Sequence, residues 1–510
     1  MGEACFHDEC AVMAIALPPG TATAAQLCYD GLRQQQHRGQ DGAGMVIRND
    51  HRAILHKRRG LVSEVFNSHW VRHRADLAIG HNRYATHGTP SEANLQPHRA
   101  VCRGGRLFLA SNGDITNFAS LRRRLKGQGV AFRSNNDGEL LAWLVAKAYD
   151  RTRSMPAALA ALHGQVQGAY SAVLLFQDRV FVVRDPLGFR PLSLASIPGG
   201  GIAAASETVA FDILHADPGS YREVPAGAIL ELHRGRCAVH APGGPMRAGC
   251  SFELIYFSRP DSLVFGLPDS LIRRRLGWNV ARESRFRRKR GVIVTAVPDS
   301  SNEIAAGVAE ELGLPFVRGL IRSHTARRTF IEKEQRIRDE GVKYKLNPNR
   351  YWLDGMTVLL VDDSIVRGTN IGKIVRMLKR IGAAETHILI GSPRIFWPCY
   401  MGIATPTREE LIANRMSLRE LADFADADSV FHLSLEGLRR ALGPVTAEER
   451  RRHPGTLGLL YSAPRDSYRG RVLARLEDAD PDRYCYACFS GRYPVPVPRP
   501  ARRRPGPRKA

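Results

Sequence analysis

Short apolar runs separated by turns occupy the first half of the chain: AVMAIAL (11–17), LAIGH (77–81), LFLAS (107–111), SAVLLF (171–176) and RVFVV (179–183). Runs this short fit strands, and helical stretches near 22–36, 117–128 and 137–149 interrupt them. The pattern predicts layered β-sheets flanked by helices over residues 10–240. A Gly- and Pro-rich break, APGGPMRAG at 241–249, then changes the rhythm. GVIVTAV (291–297) precedes a helix at 302–312, VLLV (358–361) precedes a helix at 371–381, and THILIGS (386–392) follows. That alternation predicts a doubly wound α/β domain over 250–470, followed by a C-terminal segment at 471–493. From Pro494 onward, PVPVPRPARRRPGPRKA alternates proline with basic residues, which predicts a disordered tail at 494–510.

Composition narrows the class. A chain of 510 residues with 44% hydrophobic content can bury two or more cores. No run approaches the roughly 20 apolar residues of a membrane span, and MGEACFHDEC lacks the basic start and apolar core of a secretory signal. The expectation is a protein of the cytoplasm that makes no membrane contact. Lys and Arg total 74 against 50 Asp and Glu, a net charge of +24. The excess is scattered over 122–124, 273–275, 285–290, 450–452 and the tail, with no nucleic-acid fold motif, so it reads as solvated faces and nucleic acid is not an expected partner. Nine cysteines, an odd number, argue against a disulfide framework.

The most informative segment is VLLVDDSIVRGT at 358–369. Its apolar residues read as a buried strand of a parallel sheet. At the strand's carboxyl end, Asp362 and Asp363 can accept hydrogen bonds from vicinal ribose hydroxyls or help hold Mg2+. Beyond them, Ser364 to Thr369 can wrap N–H groups and hydroxyls around a 5′-phosphate, with Gly368 allowing the turn and the next helix offering its N-terminus. AVPDSSNEIAAG (296–307) is a second strand end followed by a polar turn and a helix, and its N–H groups suit a pyrophosphate. Cys10 opens the first strand-like run. If residues 1–9 were removed, its own α-amine, titrating near pH 8, would serve as the base for the thiol; left internal, Cys10 has no such base.

Five motifs accompany Cys10: DECAV (8–12), LRQQQHRGQDGAG (32–44), GHNRYATHG (80–88), SNGDITN (111–117) and NNDGELL (135–141). In order and spacing they resemble the N-terminal-nucleophile glutamine amidotransferase domain, while SIVRGT resembles the phosphoribosyl diphosphate (PRPP) motif of type I phosphoribosyltransferases in its amidophosphoribosyltransferase version. IYFSRPDS (255–262), RTFIEKEQRIRDEGVKYKLN (328–347), RDPLGFRPL (184–192) and SETVAFD (206–212) extend the likeness over about 8–494. The resemblance implies an αββα glutaminase domain followed by a type I phosphoribosyltransferase doubly wound α/β domain, with 1–9 a propeptide. It implies that Cys10 attacks the amide of glutamine, that Asn112 and the Gly113 N–H form the oxyanion hole, that Arg83 and Asp137 hold the α-carboxylate and α-ammonium, and that Arg38 shapes the pocket. It places Mg2+ among Ser300, Asp362 and Asp363, lines the same edge with Asp299 and Ser301, and gives the phosphate to Ser364, Arg367, Gly368 and Thr369. Arg259, Arg273, Lys343 and Lys345 are candidate anion contacts. The implied product is 5-phosphoribosylamine, at the first step of purine synthesis, made by a homotetramer under purine-nucleotide feedback.

Cys485-Tyr-Ala-Cys488 alone is compatible with redox, zinc or no special role. With Cys250 and Cys399 it coincides with the ligands of the iron-sulfur amidophosphoribosyltransferases, which implies a [4Fe–4S] cluster; a four-thiolate zinc site is the chemical alternative. Cys5, Cys28, Cys102 and Cys237 are left as simple thiols. The chain departs from the family in three places. RSHTARRTF (322–330) has Arg322, Ser323, Thr325 and Arg327 where the family's flexible loop has lysine, asparagine, tyrosine and glycine; Met401-Gly-Ile-Ala404 lacks an acidic residue; and HGTPSEAN (87–94) is altered. These changes keep open a paralogue with altered coupling or another ammonia acceptor, and a non-catalytic PRPP-sensing regulator.

Overall fold

A computed structural model describes residues 10–49, 52–84, 91–286, 289–323, 346–405 and 407–498. The segment 1–9, Lys343, Lys345, most of the altered loop and the end of the tail lie outside the described residues.

The strand Ala11–Ala16 sits inside a seven-stranded antiparallel sheet, between Leu77–Arg83 and Gly201–Ala205. Its residues are all buried because both faces are covered. Val12, Ala14 and Ala16 pack with Phe108, Ala110, Val173 and Leu175 of a second, six-stranded sheet. Met13 and Ile15 pack instead with Ala24, Cys28 and Leu32 of the helix Ala24–Gln34. The outer face of the second sheet is covered by the helices Asp137–Thr152 and Met155–His163, through Leu140, Leu141, Leu144 and Leu159. Period-two alternation thus sorts each strand between two cores, and the layers run helix, sheet, sheet, helix, the expected αββα order.

Beyond residue 250 lies a parallel sheet of Val292–Ala296, Thr357–Asp362, Glu385–Ile390 and Ser429–His432, in that order. On its other side, Val292–Ala296 takes a parallel bridge from Phe316. The chain therefore moves one way from Val292–Ala296 to residue 316 and the other way to Thr357–Asp362. That reversal is the switch point of a doubly wound sheet, where ligands bind at the strands' carboxyl ends. Ala296 lies opposite Val361, so both polar turns leave the sheet side by side. The helix placed at 371–381 starts earlier, at Thr369, because Gly368 turns the chain directly into it with φ +76°.

The halves join through buried charge. Arg38 Nη1 donates to Glu207 Oε1 at 2.7 Å and Arg38 Nη2 to Glu253 Oε1 at 2.8 Å, all three side chains having no solvent exposure. Arg190 approaches the same Glu253 oxygen at 3.5 Å and donates to the carbonyl of Met401 at 2.6 Å. Burial pushes the Glu207 carboxyl up, but His37 and Arg38 outweigh it and hold the group far below the ordinary carboxylate range. Arg259 and Arg273, expected as anion contacts, are paired within the protein. Arg259 forks onto Asp261 and reaches Gln34, and Arg273 is buried against Asp269 at 2.9 Å. The tail expectation is corrected in part: residues 494–498 pack on the protein, Val495 and Val497 joining an apolar cluster with Phe189, Ala248 and Met401.

Glu253→Gln should leave Arg38 and Arg190 undercompensated in a dry site, a loss of about 3–5 kcal/mol. Chemical denaturation should show a lower midpoint than wild type; an unchanged midpoint would deny the junction this role.

Candidate active sites

Cys10 lies just before the central strand, and the pairing of Ala11 with Asn82 brings Arg83 alongside. Its carbonyl accepts from Arg38 Nε at 3.3 Å, and its Sγ lies 3.9 Å from the Tyr84 carbonyl. From the other sheet, the strand Gly105–Asn112 delivers Asn112 and Gly113 to the same place. Asn112 is 1% exposed, and its Nδ2 has no hydrogen-bond partner among the described residues. A buried donor left unpaired is expensive unless a ligand satisfies it. Gly113 has φ +137°, and a Cβ there would lie 2.1 Å from the Ala169 carbonyl oxygen, so no side chain fits.

Asp137 opens the helix Asp137–Thr152 and accepts from the Ile115 N–H at 2.7 Å. Burial and the neighbouring Asp114 push its carboxyl well above the ordinary range, while Arg83 opposes them. Cys10, Arg83, Asn112, Gly113 and Asp137 all line one cavity of about 1120 Å³. Arg38 stands behind it, gripping the Cys10 backbone. The far wall comes from the second half, including Trp397, Cys399 and Gly402. Gly402, at φ +112°, is pressed against Gly113: a Cβ on it would stand 3.1 Å from Gly113 Cα. Sequence reasoning assigned no role to Arg190, Glu207 or Glu253, although Arg190 and Glu207 fall within quoted motifs. An ion pair between residues so far apart in the chain leaves no local spacing signal.

At the switch point, Asp362 accepts from Ser301 Oγ at 2.8 Å, and Asp363 accepts from Ser300 Oγ and Ser364 Oγ at 2.6 Å each. Burial and the mutual repulsion of the carboxylates push Asp362 well above the ordinary range; burial also raises Asp363, against the hydroxyl bonds and Arg273. A cation brought here would relieve both. Among the described residues no three His, Cys, Asp or Glu side chains converge on one metal position. Two adjacent carboxylates fit Mg2+, which commonly takes its remaining ligands from water and substrate phosphates. Asp299 is held off at the rim by Arg322 at 2.8 Å, and Arg367 pairs with Glu410 at 3.1 Å. Gly368 turns the chain into the helix Thr369–Arg380, so the helix N-terminus meets the turn that follows Asp363.

The four cysteines lie near one another at the junction, but no three of them converge on one metal position. Cys250 lies opposite Cys485 in a short parallel pairing, and the Cys488 carbonyl accepts from the N–H groups of Phe396 and Trp397 at 3.0 Å. Burial pushes the Cys485 thiol up to about 12 and Cys488 well above its ordinary range, the latter also raised by Cys485, Cys250 and Cys399. Burial alone accounts for most of this rise, and a cationic group held here would reverse it by stabilising the thiolates. Cys28 and Cys102 are buried and Cys237 is exposed, as simple thiols.

The geometry is that of a glutamine amidotransferase joined to a phosphoribosyl-binding α/β domain. Residues 66–240 match the glutamine amidotransferase domain family. The chain is 39% identical to amidophosphoribosyltransferase 3, chloroplastic, of Arabidopsis thaliana over 96% of its own length and 84% of that protein. To the amidophosphoribosyltransferase of Bacillus subtilis it is 37% identical, covering 96% and 95%. A solved glutamine PRPP amidotransferase from B. subtilis, complexed with ADP and GMP, superposes with a TM-score of 0.80 at 35% identity, over 96% of this chain and 98% of that one. The chain belongs to the amidophosphoribosyltransferase family.

The space around Gly113 yields a direct test. Gly113→Ala should collide with Ala169 and displace the Asn112 turn, lowering glutamine turnover by about 100-fold or more, as the loss of one oxyanion donor does. Ammonium-driven synthesis at the other site should persist; full glutamine turnover in the variant would refute the close approach.

Proposed function

We propose that this chain converts PRPP, glutamine and water into 5-phosphoribosylamine, glutamate and pyrophosphate, at the first step of purine synthesis. The observation that carries the reading is that the Cys10 chamber has walls from both halves while the second half holds a serine-bound carboxylate pair at its switch point. Removal of residues 1–9 would free the Cys10 α-amine to take the thiol proton. The thiolate attacks the glutamine side-chain amide, and Asn112 Nδ2 with the Gly113 N–H stabilises the oxyanion. Arg83 and Asp137 hold the two charged groups of the amino acid. Ammonia leaves, water hydrolyses the thioester, and ammonia then attacks C1 of the ribose as pyrophosphate departs.

Asp362, Asp363 and Ser300 would hold Mg2+, which supplies positive charge to the leaving pyrophosphate. Asp299 and Ser301 edge that site, while Ser364, Arg367, Gly368 and Thr369 surround the 5′-phosphate. Cys250, Cys399, Cys485 and Cys488 would hold a [4Fe–4S] cluster that ties the C-terminal segment across the junction. The reading carries with it a homotetramer in the cytoplasm, inhibited by purine nucleotides; the ADP and GMP in the B. subtilis structure support the last point.

Protein with a confirmed mature N-terminus, given glutamine, PRPP and Mg2+, should release glutamate and pyrophosphate together, and release of neither would sink the assignment. Cys10→Ala should abolish glutamine use and spare synthesis at high ammonium. For the cluster, anaerobically prepared protein should be brown, with iron and sulfide at about four each per chain. Stoichiometric zinc in their place would replace the cluster reading with the zinc one.

A further inference from the structure

The strand His98–Cys102 pairs antiparallel with Gly105–Asn112, in a register that sets His98 opposite Leu109. Carried two residues further, that register would bring Gln96 opposite Ser111, just before the Asn112–Gly113 turn. The pairing stops short of it. Pro97 has no N–H to give, and the Gln96 carbonyl is turned towards Gly44, where a Cβ would lie 1.9 Å from its oxygen. Ser111 is 4% exposed, so its own N–H and C=O need partners inside the protein.

The Gln96 side chain supplies both. Its Oε1 accepts from the Ser111 N–H at 2.8 Å, and its Nε2 donates to the Ser111 carbonyl at 2.9 Å. A primary amide can do this because it carries an acceptor and a donor in one plane, as a backbone strand would. His81, which burial and Arg83 keep neutral by lowering its pKa to about 3, places Nε2 3.3 Å from the same carbonyl. Lys57 Nζ donates to the carbonyls of Leu95 and Pro97, on either side of Gln96. Gly138, the residue after Asp137, presses on the amide from the other direction: a Cβ there would lie 2.4 Å from Gln96 Oε1. Gln96 is thus wedged between the turn that carries Asn112 and the first turn of the helix that carries Asp137.

We propose that Gln96 is a positioning residue of the glutaminase, which aims Asn112 Nδ2 and the Gly113 N–H at the oxyanion by fixing both peptide groups of Ser111. The inference rests on the reaction proposed above. Hydrogen-bond donors stabilise a developing oxyanion most when their direction is set beforehand and nothing has to reorganise as the charge appears. Loss of the Gln96 amide therefore acts on the tetrahedral state more than on bound glutamine, and lowers kcat with little change in KM.

Two variants of the mature full chain test this. Gln96→Met removes both bonds to Ser111 at similar side-chain volume. Gly138→Ala keeps Gln96 and pushes its amide off Ser111 with one methyl group; Gly138 lies inside the helix, and that methyl meets only the side-chain amides of Gln96 and Asn136, so the fold can give way there. Each is assayed for kcat and KM of glutamate release from glutamine, with PRPP and Mg2+ present. The rate of Cys10 alkylation by iodoacetamide, read by mass spectrometry of the N-terminal peptide, reports the nucleophile without using the oxyanion donors. In both variants kcat should fall about 10-fold or more, since small misplacements of catalytic groups carry losses of that order. KM should stay within about threefold of wild type and the alkylation rate within about twofold. A kcat within about twofold of wild type in Gln96→Met overturns the proposal, as does a rise in KM with kcat unchanged, or alkylation that falls together with kcat. If Gln96→Met does not fold, Gly138→Ala decides by the same criteria. Failure of the wild type to release glutamate would instead fall on the reaction.

Discussion

The constraint on which the rest depends is the buried Glu253, which compensates Arg38 from the first half and Arg190 from the same half in one dry contact. Guanidinium groups without solvent exposure tolerate few alternative arrangements, since any slippage strands a charge. Arg38 carries this constraint to the Cys10 backbone, and Arg190 carries it to the Met401 carbonyl. Ser258, which donates to Glu253, has its carbonyl bound by Arg273, and Arg273 also reaches the Ser300 carbonyl at 3.3 Å. Cys10, the chamber wall and the turn at Ser300 thus share one set of buried charges. Contiguity of this kind is a physical route for coupling, although coupling itself is a matter of energies.

Among the described residues, the departures at Met401 and Ala404 fall where this frame does not need side chains. Arg190 binds the backbone oxygen of Met401, so neither Met401 nor Ala404 has to supply an acid for that contact. Gly402 is different, because its neighbours Arg190 and Gly113 leave no room for a Cβ. Arg322 has taken a role outside the frame, pairing with Asp299 at a half-exposed rim. Exposed pairs of that sort contribute roughly 0–1 kcal/mol, so this contact can break whenever substrate requires it.

Much of the fold was legible because it rests on local periodicity. Ala11–Ala16 and Thr357–Asp362 read as buried strands from composition alone, and the polar residues at their ends marked where chemistry would sit. The strand-to-turn-to-helix reading of 358–369 needed only a small shift at Thr369. The chamber's far wall was not legible, because Trp397, Gly402 and Tyr493 meet Cys10 only through the docking of one half on the other. The pairs made by Arg259 and Arg273 were not legible for a related reason: Asp261 and Asp269 carry no mark in the sequence of being their partners. The tail misled because a proline-rich string lacks the hydrogen bonds of a strand, yet its alternate Tyr493, Val495 and Val497 make an apolar face.

The placement of the cysteines follows from the same docking. Cys250 lies at the start of the second half, Cys485 and Cys488 near its end, and Cys399 in the wall of the Cys10 chamber. A group held by all four would close the loop between the break at 241–249 and the C-terminal segment, where the backbone supplies only a two-residue parallel pairing. That pairing is too short to hold a segment alone. One apolar cluster includes Cys399 and Cys485 as well as Tyr493, Val495 and Val497. Tyr493 and Val497 also line the Cys10 chamber, so the packing around these two cysteines is continuous with that wall.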